Sequence, residues 1–402
     1  MSWRSPLVNL AIPNPNGKST FVALINLYML KLNFKHFLFA AAAIILISSC
    51  ETEVDLLAPY EETPVIYGIL DFSKDTQFVR INKTFLGEGD PSLYAGIKDS
   101  IEYDPEDISA IIFKYDTDGN LLDSFPLLPT DIPNREPGIF YDEDVRFYYT
   151  DAQLFTASEI ELNSFNPSDF SFKLNVNIKG EEYTATTVFP GITESTIFRP
   201  IPPSGIPPTV AELRFTFGSS PSLNFTSTTL TFVRDGSTEV YSGLLRLNFN
   251  YEDVDGNYFE NQKIDFSLGE FTPSQNQFTS QVQGENYYTF LASQFDQIPG
   301  LSRVEFVNLK VIVTGAPEEL STYIDVVQPV SEFSPTLSNY TNIDNGAIGI
   351  FSSVGSVSRL AFFSENSVKM FRQFSLTNTY NYCVLEDGDN DGLIWSTSSP
   401  CQ

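Results

Sequence analysis

The chain has 402 residues, of which 51 are Asp or Glu and only 23 are Lys or Arg, so its formal net charge at neutral pH is −28. A polypeptide this acidic repels nucleic acid and anionic lipid surfaces, so no nucleic-acid partner is expected. The single histidine, His36, lies in an N-terminal apolar segment. Catalytic and zinc sites that need an imidazole are therefore not expected in the residues that follow it.

Residues 29–49 have the layout of a secretory signal peptide. Lys31 and Lys35 form a basic head, residues 37–47 are almost wholly apolar, and two serines precede Cys50. A cysteine directly after a small-residue cleavage site is typical of bacterial lipoproteins, in which its thiol receives a lipid. We therefore expect Cys50 to carry a lipid such as palmitate and to attach the protein to a membrane.

The alternative interpretation is a short transmembrane helix that ends in an ordinary cysteine. A bilayer core requires roughly 20 apolar residues, and this run is shorter. Acidic residues follow it at once, at Glu51, Glu53 and Asp55, which favours the lipid anchor. Residues 1–28 contain a cluster of helix-breaking residues that no signal peptide needs, and we expect them to be a mis-called N-terminal extension.

The rest of the chain has the pattern of a β protein. An acidic tether, 50–63, precedes the first strand-like segment, and residues 172–178 and 183–188 alternate with period two around a turn. Short alternating strands separated by turn residues predict antiparallel β-sandwiches rather than βαβ units. We predict a mainly β protein in which the first sandwich spans 64–195.

Proline and glycine become dense between residues 189 and 209, which indicates a semi-rigid linker, placed at 196–209. A second β-rich domain is predicted over 210–402. Residues 287–295 have apolar side chains at helical spacing, and Pro317 with the two acids after it predicts the start of a second helix.

Two cysteines remain after Cys50, namely Cys383 and Cys401. In an oxidising compartment we expect them to form a disulfide, worth about 3 kcal/mol for a loop of this size. The alternative is a nucleophilic thiol, but no histidine is present to activate it.

The strongest metal candidate lies between these cysteines. Asp387, Asp389 and Asp391 occupy positions 1, 3 and 5 of a calcium-loop pattern, and Gly392 occupies position 6. Position 12 is Ser398, where a calcium loop has glutamate. Calcium is therefore a possible cofactor, and a metal-free acidic turn is the alternative. Asp-Gly pairs at 116–119 and 253–256 are explained by hairpin turns.

Three function classes remain open from the residues. One is a binding protein, another is a structural or adhesive module stiffened by calcium, and the third is a glycan hydrolase that uses two carboxylates. Five aromatic residues are candidates for stacking on sugars or peptides, with the β-sandwich core as the alternative place for them: Tyr148, Tyr149, Tyr287, Tyr288 and Trp395.

Several segments resemble uncharacterised outer-membrane lipoproteins of Bacteroidota. They are residues 64–70, 80–87, 183–190, 319–324 and 340–351. The resemblance implies immunoglobulin-like β-sandwich domains, an outer-membrane location and the company of a TonB-dependent receptor. Acids after the lipidated cysteine go with display on the cell surface in that family. The resemblance favours a non-enzymatic lipoprotein that binds a partner or a nutrient.

We expect the protein to incorporate a palmitate analogue in growing bacteria, and Cys50→Ala to lose both the label and the membrane association. Fluorescence of the labelled band and fractionation of the envelope measure the two effects. Cys383→Ala is the control and should keep its label, because lipidation needs only the N-terminal segment. A native protein without label, or a Cys50→Ala variant that stays in the membrane, would contradict the anchor.

Overall fold

The computed structural model describes residues 62–85, 91–133, 138, 140–141, 143–160, 165–200, 211–219, 221–327 and 340–384. Within these residues the fold is mainly β, with large sheets and a few short helices, which confirms the predicted class. The strands are β1 (Pro64–Asp71), β2 (Gln77–Lys83), β3 (Ile108–Tyr115), β4 (Leu121–Ile132), β5 (Val145–Thr150), β6 (Ser171–Ile178), β7 (Glu181–Val188), β8 (Ile197–Arg199), β9 (Ala211–Leu213), β10 (Thr216–Ser219), β11 (Ser222–Phe225), β12 (Ser227–Val233), β13 (Val240–Asp253), β14 (Tyr258–Phe271), β15 (Gln277–Gln283), β16 (Leu301–Ala316), β17 (Ile348–Phe363) and β18 (Asn381–Val384). The helices are α1 (Pro91–Ala95), α2 (Lys98–Ile101), α3 (Ala157–Ile160), α4 (Gly284–Phe295), α5 (Glu318–Val327) and α6 (Glu365–Gln373).

The first seven strands form two layers that share one strand. One layer has the order β1-β2-β5-β4 and the other has the order β4-β3-β6-β7. Residues 121–127 of β4 pair with β3, whereas residues 128–132 pair with β5. Strand β6 shows why the layers pack: its alternate residues, from Phe172 to Ile178, are buried, and those between them are half-buried.

The later strands form a second layered unit. Strands β14-β13-β16-β17 make one sheet, β15-β12-β8 make another, and α4 and α6 complete the packing. Its core is rich in aromatic side chains, and the rings of Phe306 and Phe371 lie 4.8 Å apart. The long hairpin β13–β14 confirms the turn predicted at 253–257, and α4 and α5 confirm the two predicted helices.

Strand β17 belongs to both units. Residues 348–354 pair with β1 in parallel, and residues 355–361 pair with β16 in antiparallel register. Phe351 accordingly contributes to the core of the first unit, and Phe363 contributes to the core of the second. The described residues from Glu62 onward form one compact body. The predicted domain limits stay predictions, because 201–210, most of the expected linker, lies outside the described residues.

Arg359 fixes the segment that leads into that linker. Its guanidinium donates to the carbonyl of Glu194 at 2.9 Å and to the carbonyl of Pro200 at 3.1 Å. Residues 197–199, at the start of the expected linker, form β8 and pair with β12. No helix within the described ranges is long and apolar enough to cross a membrane.

We expect Gly349→Ala to destabilise the protein by about 3 kcal/mol or more. A Cβ at this position would lie 1.9 Å from the carbonyl oxygen of Ile66, and the φ of +128° is a conformation that L side chains rarely adopt. Chemical denaturation measures the free energy of unfolding. Gly346→Ala is the matched control, since Gly346 also has a positive φ but faces open space, and it should cost about 1 kcal/mol. Equal losses in the two variants would contradict the close approach of β1 and β17.

Candidate binding face

The outer surface of the layer β4-β5-β2-β1 carries large apolar side chains instead of the usual polar ones. Successive residues of a strand point to opposite sides of the sheet, so each strand sends one set into the core and another outward. Here the outward set is unusually apolar, and four of its members are between 38 and 58% exposed. We call this surface the aromatic face, and it consists of Tyr67, Ile69, Phe78, Leu128, Phe147 and Tyr149.

Strand register brings these side chains into rows. Phe78 lies opposite Tyr149, and Tyr149 lies opposite Leu128, so one row crosses three strands. The ring of Phe78 lies 6.3 Å from that of Tyr149 and 6.2 Å from that of Phe147. Across the sheet, Tyr67 lies 6.3 Å from the ring of Tyr323 on α5. The rings therefore support one another while leaving surface accessible to a ligand.

One charged cluster is set into the aromatic face. Arg80 lies on the same side of β2 as Phe78, and its guanidinium carbon lies 5.6 Å from the ring centroid of Phe147. The same guanidinium donates to Glu102 Oε1 at 3.0 Å and to the Tyr141 hydroxyl at 3.4 Å. Tyr141 also donates a hydrogen bond to Glu102. Cation–π contact and ion pairing together hold Arg80 in a fixed position.

Glu102 is unusual in this cluster because its side chain is only 4% exposed. Its second carboxylate oxygen, Oε2, is buried and has no hydrogen-bond partner within the described part of the chain. Burial, and then the neighbouring carboxylate of Glu102, raise the pKa of the Tyr141 hydroxyl above its usual range. Burial likewise raises the pKa of Tyr148 to about 12. Both phenols stay protonated at neutral pH, so Tyr141 remains a donor to Glu102.

The sites predicted from sequence lie mostly elsewhere in the chain. Cys50, the acidic loop 387–391 and Cys401 lie outside the described residues, so lipidation, calcium binding and the disulfide pairing stay predictions. Cys383 lies on β18, is buried and is disulfide-bonded. The described ranges contain no group of three or more metal-ligating side chains.

The two Asp-Gly hairpins have the hydrogen bonds of metal-free turns. The Asp116 carboxylate accepts from the backbone amides of Asp118 and Asn120, and Asp253 does the same with Asp255 and Asn257. A side-chain hydrogen bond from the asparagine is the main cause that lowers the pKa of each of the two aspartates. The turn interpretation accounts for these residues.

The aromatic residues singled out in the sequence divide between core and surface. Tyr148, Tyr287 and Tyr288 are fully buried, as the β-sandwich alternative predicted, and Trp395 lies outside the described residues. Tyr149 is half-buried and lies on the aromatic face. Because consecutive strand residues face opposite ways, Tyr148 and Tyr149 could have been assigned to opposite sides from the sequence alone.

No protein-family model matches the chain, and no curated protein is significantly similar to it. The aromatic face and its charged cluster are therefore interpreted from their own geometry.

We expect Arg80→Met to lower the free energy of unfolding by about 3 kcal/mol, because it leaves the buried Glu102 carboxylate without its cation. Urea denaturation measures the loss. Arg146→Met is the matched control on β5. Its partner, Asp131, is 40% exposed, and solvent limits such a pair to about 1 kcal/mol or less. A loss for Arg80→Met no larger than that of the control would mean that the cluster does not hold Glu102 as a charged group.

Proposed function

We propose that this protein is a non-enzymatic lipoprotein of the outer membrane, displayed at the cell surface, that binds a partner or a nutrient through the aromatic face. The signal-peptide pattern before Cys50, which predicts its lipidation, and the resemblance to Bacteroidota lipoproteins support the location. The exposure of Phe78, Leu128 and their neighbours on one sheet surface supports the binding role. Contiguous apolar patches of this kind on soluble proteins mark interaction sites.

The chemistry of the aromatic face suits a flat, partly apolar ligand. Phenyl and phenol rings can stack on the apolar side of a sugar ring or pack against the side chains of an extended peptide. The Arg80 guanidinium offers a positive charge among these rings, although its donors are partly engaged by Glu102. A transporter surface and a glycan or peptide nutrient are both compatible with these contacts.

Two ion pairs lie at the point where the tether would join the folded body. Glu62 binds Lys179 at 3.1 Å and Lys83 at 3.6 Å, and both lysines lie over the ring of Tyr103. Burial opposes the charged form of Glu62, but the hydrogen bond from Lys179 and the charge of Lys83 outweigh it and lower the pKa of the carboxyl. The next residues enter β1, which carries Tyr67 and Ile69. An anchor at Cys50 would therefore be joined, through the acidic tether, to a strand that carries part of the aromatic face.

A TonB-dependent receptor is the partner that the resemblance favours. Such a receptor would share the outer membrane with the lipoprotein, so a tethered aromatic face would meet it at high effective concentration. The calcium-stiffened module and the carboxylate hydrolase remain alternatives. The first depends on 387–391, and the second would require a pair of acids in a cleft that turns over a glycan.

Capture from detergent-solubilised outer membranes tests the proposal. The full-length protein should retain a receptor or a glycan or peptide, and the variant Phe78→Ser/Leu128→Ser should retain at least tenfold less. Phe78 is 42% exposed and Leu128 is 58% exposed, so the double change should lower stability by about 2 kcal/mol or less. Mass spectrometry identifies and quantifies what is captured.

The matched control is Phe217→Ser/Leu376→Ser, which removes a phenylalanine and a leucine of similar exposure elsewhere on the surface. It should capture as much as the native protein does. Recovery of no membrane partner, glycan or peptide by the native protein would reject the proposed role. Equal capture by all three proteins would place the binding site away from the aromatic face.

A further inference from the structure

A cavity of about 350 Å³ lies between α5 and the ends of β13, β14 and β16. Its volume is within the range of small-molecule sites. The strand register places part of its lining in one row. Glu270 lies opposite Ser242, and Ser242 lies opposite Thr314, so the three side chains share one side of the sheet. Residues Ser321 and Asp325 of α5 line the same cavity.

The floor of the cavity is apolar and well packed. Ala316 and Leu320 are each only 6% exposed and belong to a small cluster with Ile350. Val240 pairs with Ala316 across β13 and β16, which holds this part of the wall in a continuous ladder. The cavity is therefore formed by regular elements before any ligand arrives, so little ordering would oppose binding.

One apolar side chain at the cavity is exposed to solvent, although its neighbour one helical turn earlier is buried. Ile324 of α5 is 38% exposed, whereas Leu320, one turn earlier, is buried. Phe271, next to Glu270 on β14, lies opposite Tyr241 and so on the other side of the sheet, where its ring packs against Phe232 and Phe278. The apolar surface open to a ligand is therefore that of Ile324, which a ligand with an apolar body would cover.

The charged groups of the lining are of one sign. Glu270 and Asp325 both line the cavity, both are exposed, and neither forms an ion pair with any described residue. Among the described residues, no lysine or arginine lines the cavity. Four hydroxyl side chains, which can donate or accept a hydrogen bond, also line the cavity: Ser242, Thr272, Thr314 and Ser321. The Thr314 hydroxyl is already hydrogen-bonded to that of Ser356 at 2.7 Å. The two carboxylates therefore set the sign of the lining, which disfavours an anion and attracts a cation.

We propose that this cavity binds a compact organic cation, in which an ammonium group is carried on a small apolar body. The ammonium lies at the rim with Glu270 and Asp325, and the apolar body covers the floor beside Ile324. A neutral molecule of the same shape loses the attraction of the carboxylates, and a carboxylate of the same shape is repelled. This site is separate from the aromatic face, and its ligand does not depend on the lipid anchor.

The test uses full-length protein in a nonionic detergent and three probes of one shape: benzylammonium, benzyl alcohol and benzoate. Calorimetry at low ionic strength should give saturable binding of benzylammonium, with a dissociation constant on the order of 1 mM for so small a ligand. Benzyl alcohol should bind about fivefold more weakly, and benzoate should not bind measurably. Raising the salt concentration to about 1 M should weaken only the binding of benzylammonium.

Two variants locate the site. Glu270→Gln/Asp325→Asn should weaken benzylammonium about fivefold and leave benzyl alcohol unchanged, because exposed charge pairs are individually modest. Ser321→Phe should abolish the binding of both probes by filling the cavity. Thr322→Phe is the matched control, because it is a change of similar size on the same helix at a residue that does not line the cavity. It should bind both probes as the native protein does. Because it is measured in the same detergent, it also controls for uptake of the probes by the detergent.

Three results would overturn the proposal. They are an absence of saturable benzylammonium binding, benzoate binding as tight as that of benzylammonium, and benzylammonium binding that Ser321→Phe leaves intact. Capture through the aromatic face does not involve these residues, so either proposal can fail while the other holds.

Discussion

The structure depends most on the parallel pairing of β1 with the first half of β17. The two strands come from opposite ends of the described chain, and their pairing brings Ile66 next to Gly349 so closely that no side chain fits at the latter. The second half of β17 then pairs with β16. One strand thereby contributes to the cores of both layered units, and the core of the first unit includes Ile343, Ala347 and Phe351 from the far end of the described chain.

This shared strand also determines where the two candidate sites lie. Helix α5 packs on the outer side of β17, through Leu320 against Ile350. On one side of the helix, Tyr323 contacts Tyr67 at the margin of the aromatic face. On another, Ser321 and Asp325 line the cavity. A helix of ten residues thus contributes to two different surfaces, and it can do so because successive residues of a helix point in different directions.

Local pattern was enough to predict the fold class, the hairpins and the two longer helices. Residues 172–178 alternate strictly, residues 183–188 alternate back less regularly, and Lys179 and Gly180 both have the positive φ that such a turn requires. The joining of the two units by β17 could not be predicted in this way. Its segment contains glycines and serines without a clear alternation, and its partners β1 and β16 are set by tertiary contacts instead of sequence neighbours.

The aromatic face was missed for a related reason. The sequence of β2 shows that Phe78 and Arg80 point away from Val79 and Ile81, but it does not show that Tyr149 and Leu128 lie beside them. That arrangement arises only when β5 inserts between β2 and β4. Glu102 is similar, because a carboxylate that directly follows a short helix gives no sign of burial until Arg80 and Tyr141 are brought against it.

The negative net charge of the chain is compatible with an exposed aromatic face, because charge repulsion acts at long range whereas apolar contact acts only at short range. Net charge of this size keeps whole molecules apart at long range and opposes self-association through an apolar surface. Within about a Debye length, roughly 8 Å at physiological salt, apolar contact and the fixed Arg80 guanidinium decide what can bind. A second copy of the same chain would have to bring its own negative charge to the face, whereas a neutral glycan, a peptide or a transporter surface would not. The combination therefore favours binding of a different molecule over association of the protein with itself.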